Sequence, residues 1–272
     1  RQRQMCIRDR SNFTFSQEKE MLSESAGYKK IKAQFPNRSA RPAGFSQRVV
    51  KPDGSTGGIN LRGNITFIAN NILNYRRNGS NNTPYDDDAS NGRVNMQYID
   101  VDGDGSTFSS SSDDLNLPIC SRIVYAGLYW AGVYPYETWS GQETRSNNFN
   151  RIKFKLPGGA YQSVVADATD VTKRELIFND GFTYICYKDI TTDVQALTTT
   201  ANPDGHNGTY FAADIRGVRG EDTRNRLGGS AGWTMVVIYE NETESSKNIS
   251  IFDGFAEVDG DTDVDLSLIH IS

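Results

Sequence analysis

Histidine is nearly missing from this 272-residue sequence, with two residues, and cysteine and tryptophan are scarce at three each. With so few imidazoles and thiols, a Cys-His nucleophile, a Ser-His-acid triad or a His-rich metal centre has almost nothing to be built from. No run approaches the roughly 20 apolar residues of a membrane-spanning helix. Basic residues do not exceed acidic ones: 29 Lys and Arg stand against 34 Asp and Glu. Without a basic cluster to neutralise phosphates, nucleic acid is excluded as a partner. Long amphipathic helical patterns are also scarce, and Gly, Asn, Ser and Thr dominate between short apolar runs, which favours strands joined by elaborate turns.

The two ends do not read as evolved protein. Residues 1–10, RQRQMCIRDR, and 266–272, LSLIHIS, resemble translated sequencing-adapter read-through and are set aside as an artefact of that kind. Without them four basic residues and one acidic residue go, leaving 25 against 33, a net charge of −8. Cys6 and His270 go too, so the remaining cysteines are Cys120 and Cys186 and the remaining histidine is His206. The chain then reads as a window from a longer reading frame. Phe13 to Gln17 is compatible with the tail of a secretory signal.

Residues 11–58 are polar, broken by Pro36, Pro42 and Pro52, and are expected to form a linker or loosely packed lead-in. Residues 59–265 are expected to form one domain, cut at its C-terminal side. Its anchor is Cys120 to Tyr136, CSRIVYAGLYWAGVYPY, where both parities are apolar or aromatic, as in a central strand covered on both faces. Strands are also expected at 64–73, 94–101, 151–156, 161–166, 183–190, 208–215, 233–239 and 248–256, with one short helix at 189–197. Nine or ten strands without helix alternation predict an all-β fold, an antiparallel β-sandwich of jelly-roll-like type.

Three constellations bear on chemistry. Asp100-Val101-Asp102-Gly103-Asp104-Gly105 follows the D-x-D-x-D-G pattern that turns alternate carboxylates toward one hard cation. Ser111 stands where a bidentate Glu would close an EF-hand loop, so Asp113 and Asp114 are the candidate replacements for a calcium site. A plain Asp-Gly turn is the alternative. Cys120 and Cys186 are expected to form a disulfide in an oxidising setting, the alternative being two buried thiols. Tyr134, Tyr136 and Trp139 offer planar rings for glycan contact, or else corner packing. His206 reads as a turn residue rather than a base.

Six segments together carry a resemblance: YAGLYWAG at 125–132, KFKLPGGAYQSVVAD at 153–167, YICYKDIT at 184–191, NGTY at 207–210, AGWTMVVIYEN from Ala231, and ISIFDGFAEV from Ile249. In this order they resemble the large secreted surface proteins of Bacteroidota, the gliding-motility-associated or type IX-secreted adhesin-like family. The resemblance implies an extracellular, cell-surface β-sandwich combined into long chains that usually end in a sorting domain. It implies a non-catalytic structural or adhesive module, with another surface protein or a glycan as partner. The alternative is a carbohydrate-binding module attached to a polysaccharide-processing protein.

Overall fold

The computed structural model describes residues 44–75, 95–135, 148–167, 171–175, 181–219 and 229–255. Its chain divides into two compact units, one of Val49–Ser250 and one formed by the segments on either side of it. In the larger unit the strands are β2 (Ile59–Asn71), β3 (Leu73–Tyr75), β4 (Met96–Tyr98), β5 (Ser110–Leu115), β6 (Arg122–Pro135), β7 (Arg151–Lys155) and β8 (Gln162–Val165). They continue as β9 (Val171–Glu175), β10 (Gly181–Asp189), β11 (Gly208–Ala213), β12 (Ala231–Glu240) and β13 (Ser246–Ile249). One sheet has six strands in the order β13-β2-β12-β6-β10-β9, the other four in the order β5-β11-β7-β8. All their pairings are antiparallel. The fold is thus the all-β sandwich that the sequence predicts, with one sheet curled into a half-barrel.

β6 is central, flanked by β12 and β10. Trp233 lies opposite Trp130, Met235 opposite Leu128 and Val237 opposite Ala126, and these six side chains belong to the core. On the opposite face Tyr125, Tyr187, Val236 and Ile238 are buried as well, in keeping with the two-sided apolar pattern of β6. A register shift between Ile238 and Tyr239 skips Val124, so that Tyr239 pairs with Ile123. The extra residue on β6 switches that strand's inward parity, so that Ile123 enters the core opposite Tyr239, which keeps the parity of Val237. The four-stranded sheet contributes Leu115, Ile152, Phe154, Tyr210 and Ala212 to the same cluster. A short helix, α1 (Thr191–Gln195), buries Val194 at the end of β10.

The two sheets meet along one edge. Asp113 Oδ2 on β5 accepts the Ala69 backbone N–H of β2 at 2.9 Å, and Asn70 Nδ2 donates to the Ser112 carbonyl at 2.8 Å. These bonds occupy the edge of β2 beyond the stretch paired with β13, which ends at Arg62.

Two departures from the sequence reading concern strands. β5, SSSDDL, lies between the strands expected at 94–101 and 120–136, where none is expected. It is a strand because β11 pairs along its whole length and its serines are enclosed, with the Trp233 indole N–H donating to Ser111 Oγ at 2.9 Å. The expected strand at 248–256 is divided, its first residues in β13 and Phe252–Phe255 forming β14 of the smaller unit. There β14 pairs with β1 (Gly44–Gln47), inside the segment expected to be a linker. Arg48, 10% exposed, donates through Nε to Asp253 Oδ2 at 2.9 Å and also through Nη2, fixing the two strands side by side.

Candidate functional site

The acidic loop between β4 and β5 is built from its own carboxylates. Gly103 has φ +64°, a left-handed turn that a side chain would strain. Asp100 Oδ1 accepts the Gly103 N–H at 3.2 Å, and Asp102 Oδ1 accepts the Asp104 N–H at 3.3 Å. Asp104 Oδ1 accepts the Ser106 N–H at 2.9 Å. The fully buried Ser110 hydroxyl lies 2.7 Å from Asp100 Oδ1 and 2.8 Å from Asp102 Oδ1, one hydrogen between two acceptors. The other oxygen of Asp102 accepts the Tyr161 hydroxyl at 2.7 Å, with Lys155 Nζ at 4.0 Å.

Burial pushes the Asp102 carboxyl up, but hydrogen bonds from Tyr161, Ser110 and the Asp104 backbone outweigh it and hold the group below the usual carboxylate range. Asp104 is also held low, by the Ser106 N–H. Tyr161 is pushed in the opposite direction, first by burial and then by its bond to the Asp102 carboxylate. The phenol therefore stays protonated and donating.

β7 receives this loop. Lys155 Nζ lies 4.6 Å from the Phe211 ring centre and 5.4 Å from that of Tyr161. Lys153 Nζ is 3.4 Å from Asp214 Oδ2 and donates to the Ser106 carbonyl. Asp214 in turn accepts the Phe108 N–H at 2.8 Å. Alternate residues of one strand thus hold both ends of the acidic loop.

The five aspartates expected to share calcium do not form one cage. Asp113 and Asp114 are consecutive in β5 and so point to opposite faces of the sheet. Asp113 reaches the Ala69 N–H, while Asp114 Oδ1 accepts the Thr209 hydroxyl at 2.6 Å. Of the remaining three, Asp100 and Asp102 already receive Ser110, and Asp102 also receives Tyr161. Among the described residues no group of three His, Cys, Asp or Glu side chains is placed to hold a metal ion. The five carboxylates therefore do not converge on one point, and the hydrogen bonds of Asp100, Asp102 and Asp104 are those of an Asp-Gly turn.

The expected Cys120–Cys186 disulfide is also corrected. Cys186 is a free, fully buried thiol. It pairs across the sheet with Trp130, whereas Cys120 lies in the turn before β6. At about 3.3 Å per residue, roughly 30 Å of strand separates them, against about 7 Å for a disulfide. Cys186 faces the core, its Sγ 3.8 Å from the Phe149 carbonyl, and burial pushes its pKa up to about 12. It is the buried apolar thiol of the alternative reading.

His206 lies in a turn, as expected, and there it organises the loop before β11. Its ring is fully buried, with Nδ1 2.9 Å from Thr198 Oγ1. Its carbonyl accepts the Tyr210 hydroxyl at 2.7 Å. The adjacent Asn207 accepts the Leu117 N–H at 2.8 Å and donates to the Leu117 carbonyl at 2.9 Å, while Asp204 accepts the Cys120 N–H at 3.0 Å. The signal was present in the sequence as Asn202 to Gly208, a run of turn formers around one imidazole. Tyr134 contributes backbone to β6 opposite Phe182. Its side chain, with Tyr136 and Trp139, lies outside the described residues, as do both chain ends.

Comparison of the chain with protein-family models, with curated proteins and with solved structures gives no match.

Proposed function

We propose that the chain is a non-catalytic structural or adhesive module of a large secreted bacterial surface protein, of the type IX-secreted kind that its motifs resemble. The observation that carries this reading is the use to which the polar side chains are put. Asp100, Asp102 and Asp104 bind their own loop, Asn207 and Asp204 bind the turn before β6, and Asp113 ties sheet to sheet. The groups with most potential for chemistry, His206 and the Cys186 thiol, are fully buried. A nucleophile needs access and a neighbouring base, and neither residue has them within the described structure. A stiff sandwich with well-tied loops is suited to bearing load and presenting a surface.

The test uses the whole chain coupled to beads. Retention on bacterial or polysaccharide-coated surfaces under washing, with no turnover of ester, peptide or glycoside substrates, is the expected result. Catalytic turnover above the buffer rate overturns the reading.

A further inference from the structure

The four edges of the two main sheets differ. β13 carries Lys247, and β9 carries Lys173, Arg174 and Glu175. β5 is tied to β2 by Asp113 and Asn70. Charge and cover are the usual means by which an exposed edge avoids pairing with another strand. Among the described residues β8, Gln162-Ser163-Val164-Val165, has neither. It contains no charged residue, proline or glycine, and Val165 is 38% exposed.

The hydrogen-bond phase of β8 shows which groups are open. Beyond its end the Ala166 N–H donates to the Asn150 carbonyl at 2.9 Å. In an antiparallel ladder the bonding direction alternates, so Val164, opposite Ile152, also faces β7. Ser163 and Val165 therefore turn their backbone N–H and carbonyl groups outward.

We propose that β8 is a docking edge for a second copy of this chain. A two-fold axis beside Val164 sets Ser163 of each copy against Val165 of the other. Four backbone hydrogen bonds result, and the two four-stranded sheets become one of eight. The two-fold keeps each strand's faces in phase, and the neutral strand brings no like charge against itself, whereas β9 paired with itself would bring its charged run against an identical one. The contact is short, well below the area of a stable dimer interface. It therefore acts as a weak homotypic contact that becomes effective where many copies share a surface.

Sedimentation of the whole chain over rising concentration tests this, without any surface or ligand, so its failure leaves the adhesive reading standing. The average mass is expected to climb from monomer toward dimer. Ser163→Pro removes an outward N–H without touching the β7 ladder, and Val165→Lys places two like charges on one face, diagonally across the two-fold. Each is expected to weaken association about tenfold or more, with circular dichroism unchanged. Asn248→Lys on β13 serves as the control and leaves association as it was. A constant monomer mass up to millimolar concentration, or association that both β8 variants leave intact, overturns the proposal.

Discussion

His206 shows how much one side chain can hold. Burial lowers its pKa below the ordinary 6.5, partly opposed by Asp204, and its Nε2 is buried without a hydrogen-bond partner among the described residues. The neutral ring is therefore the form that the fold accepts. Above pH 6.5 both folded and unfolded chains carry it neutral, and the native loop is fully stable. As pH falls below 6.5 the unfolded chain takes up a proton that the folded chain resists, and stability is lost by at most about 1.4 kcal/mol per pH unit until the folded pKa is passed. Carboxylates add their own acid dependence at lower pH, so the comparison must be made against His206→Gln. Urea midpoints at pH 7.5 and 5.5 are expected to fall more in the parent than in the variant. Equal falls would show that the imidazole does not titrate on unfolding.

Among the elements, the long β2 depends on close approach to β12. A Cβ on Gly63 would stand 1.9 Å from the Tyr239 carbonyl oxygen, a backbone atom that cannot swing away. Gly63→Ala is expected to cost about 3 kcal/mol, at the upper end for overpacking, read as a lower urea midpoint. A change under about 0.5 kcal/mol would mean that the strands separate there freely. Such strands were legible where alternation is local: Ile152 and Phe154 inward, Lys153 and Lys155 outward, or the two-sided apolar run of β6. β5 was not, because its serines acquire a strand's burial only from distant partners, Trp233 and β11. The same gap explains why a single cage of five aspartates was expected. Spacing reveals that Asp113 and Asp114 are neighbours, but only the pleat of β5 turns them to opposite faces. The cysteine pairing failed likewise, since flanking strand-like runs say nothing about the offset between strands.

At the scale of the whole molecule, the main hydrophobic cluster of the described residues lies within one unit. Every residue of the hydrophobic cluster, from Ile68 to Tyr239, falls inside Val49–Ser250. Cooperative unfolding needs a core and its own satisfied backbone, and this span has both sheets and their shared edge. The smaller unit has a strand pair, β1 with β14, and the Arg48–Asp253 bond. A two-stranded ribbon is marginal by itself in water. The core unit should therefore not depend on it. A fragment of residues 49–250 is expected to unfold in one transition with urea. Trp130 and Trp233 are buried to 1% and 3% exposure, so with Trp139→Phe to leave these two as the emitters the native emission should be blue-shifted and move to the red across that transition. Red-shifted emission before any denaturant is added, with no sigmoidal change afterward, would mean that the flanking segments complete the core.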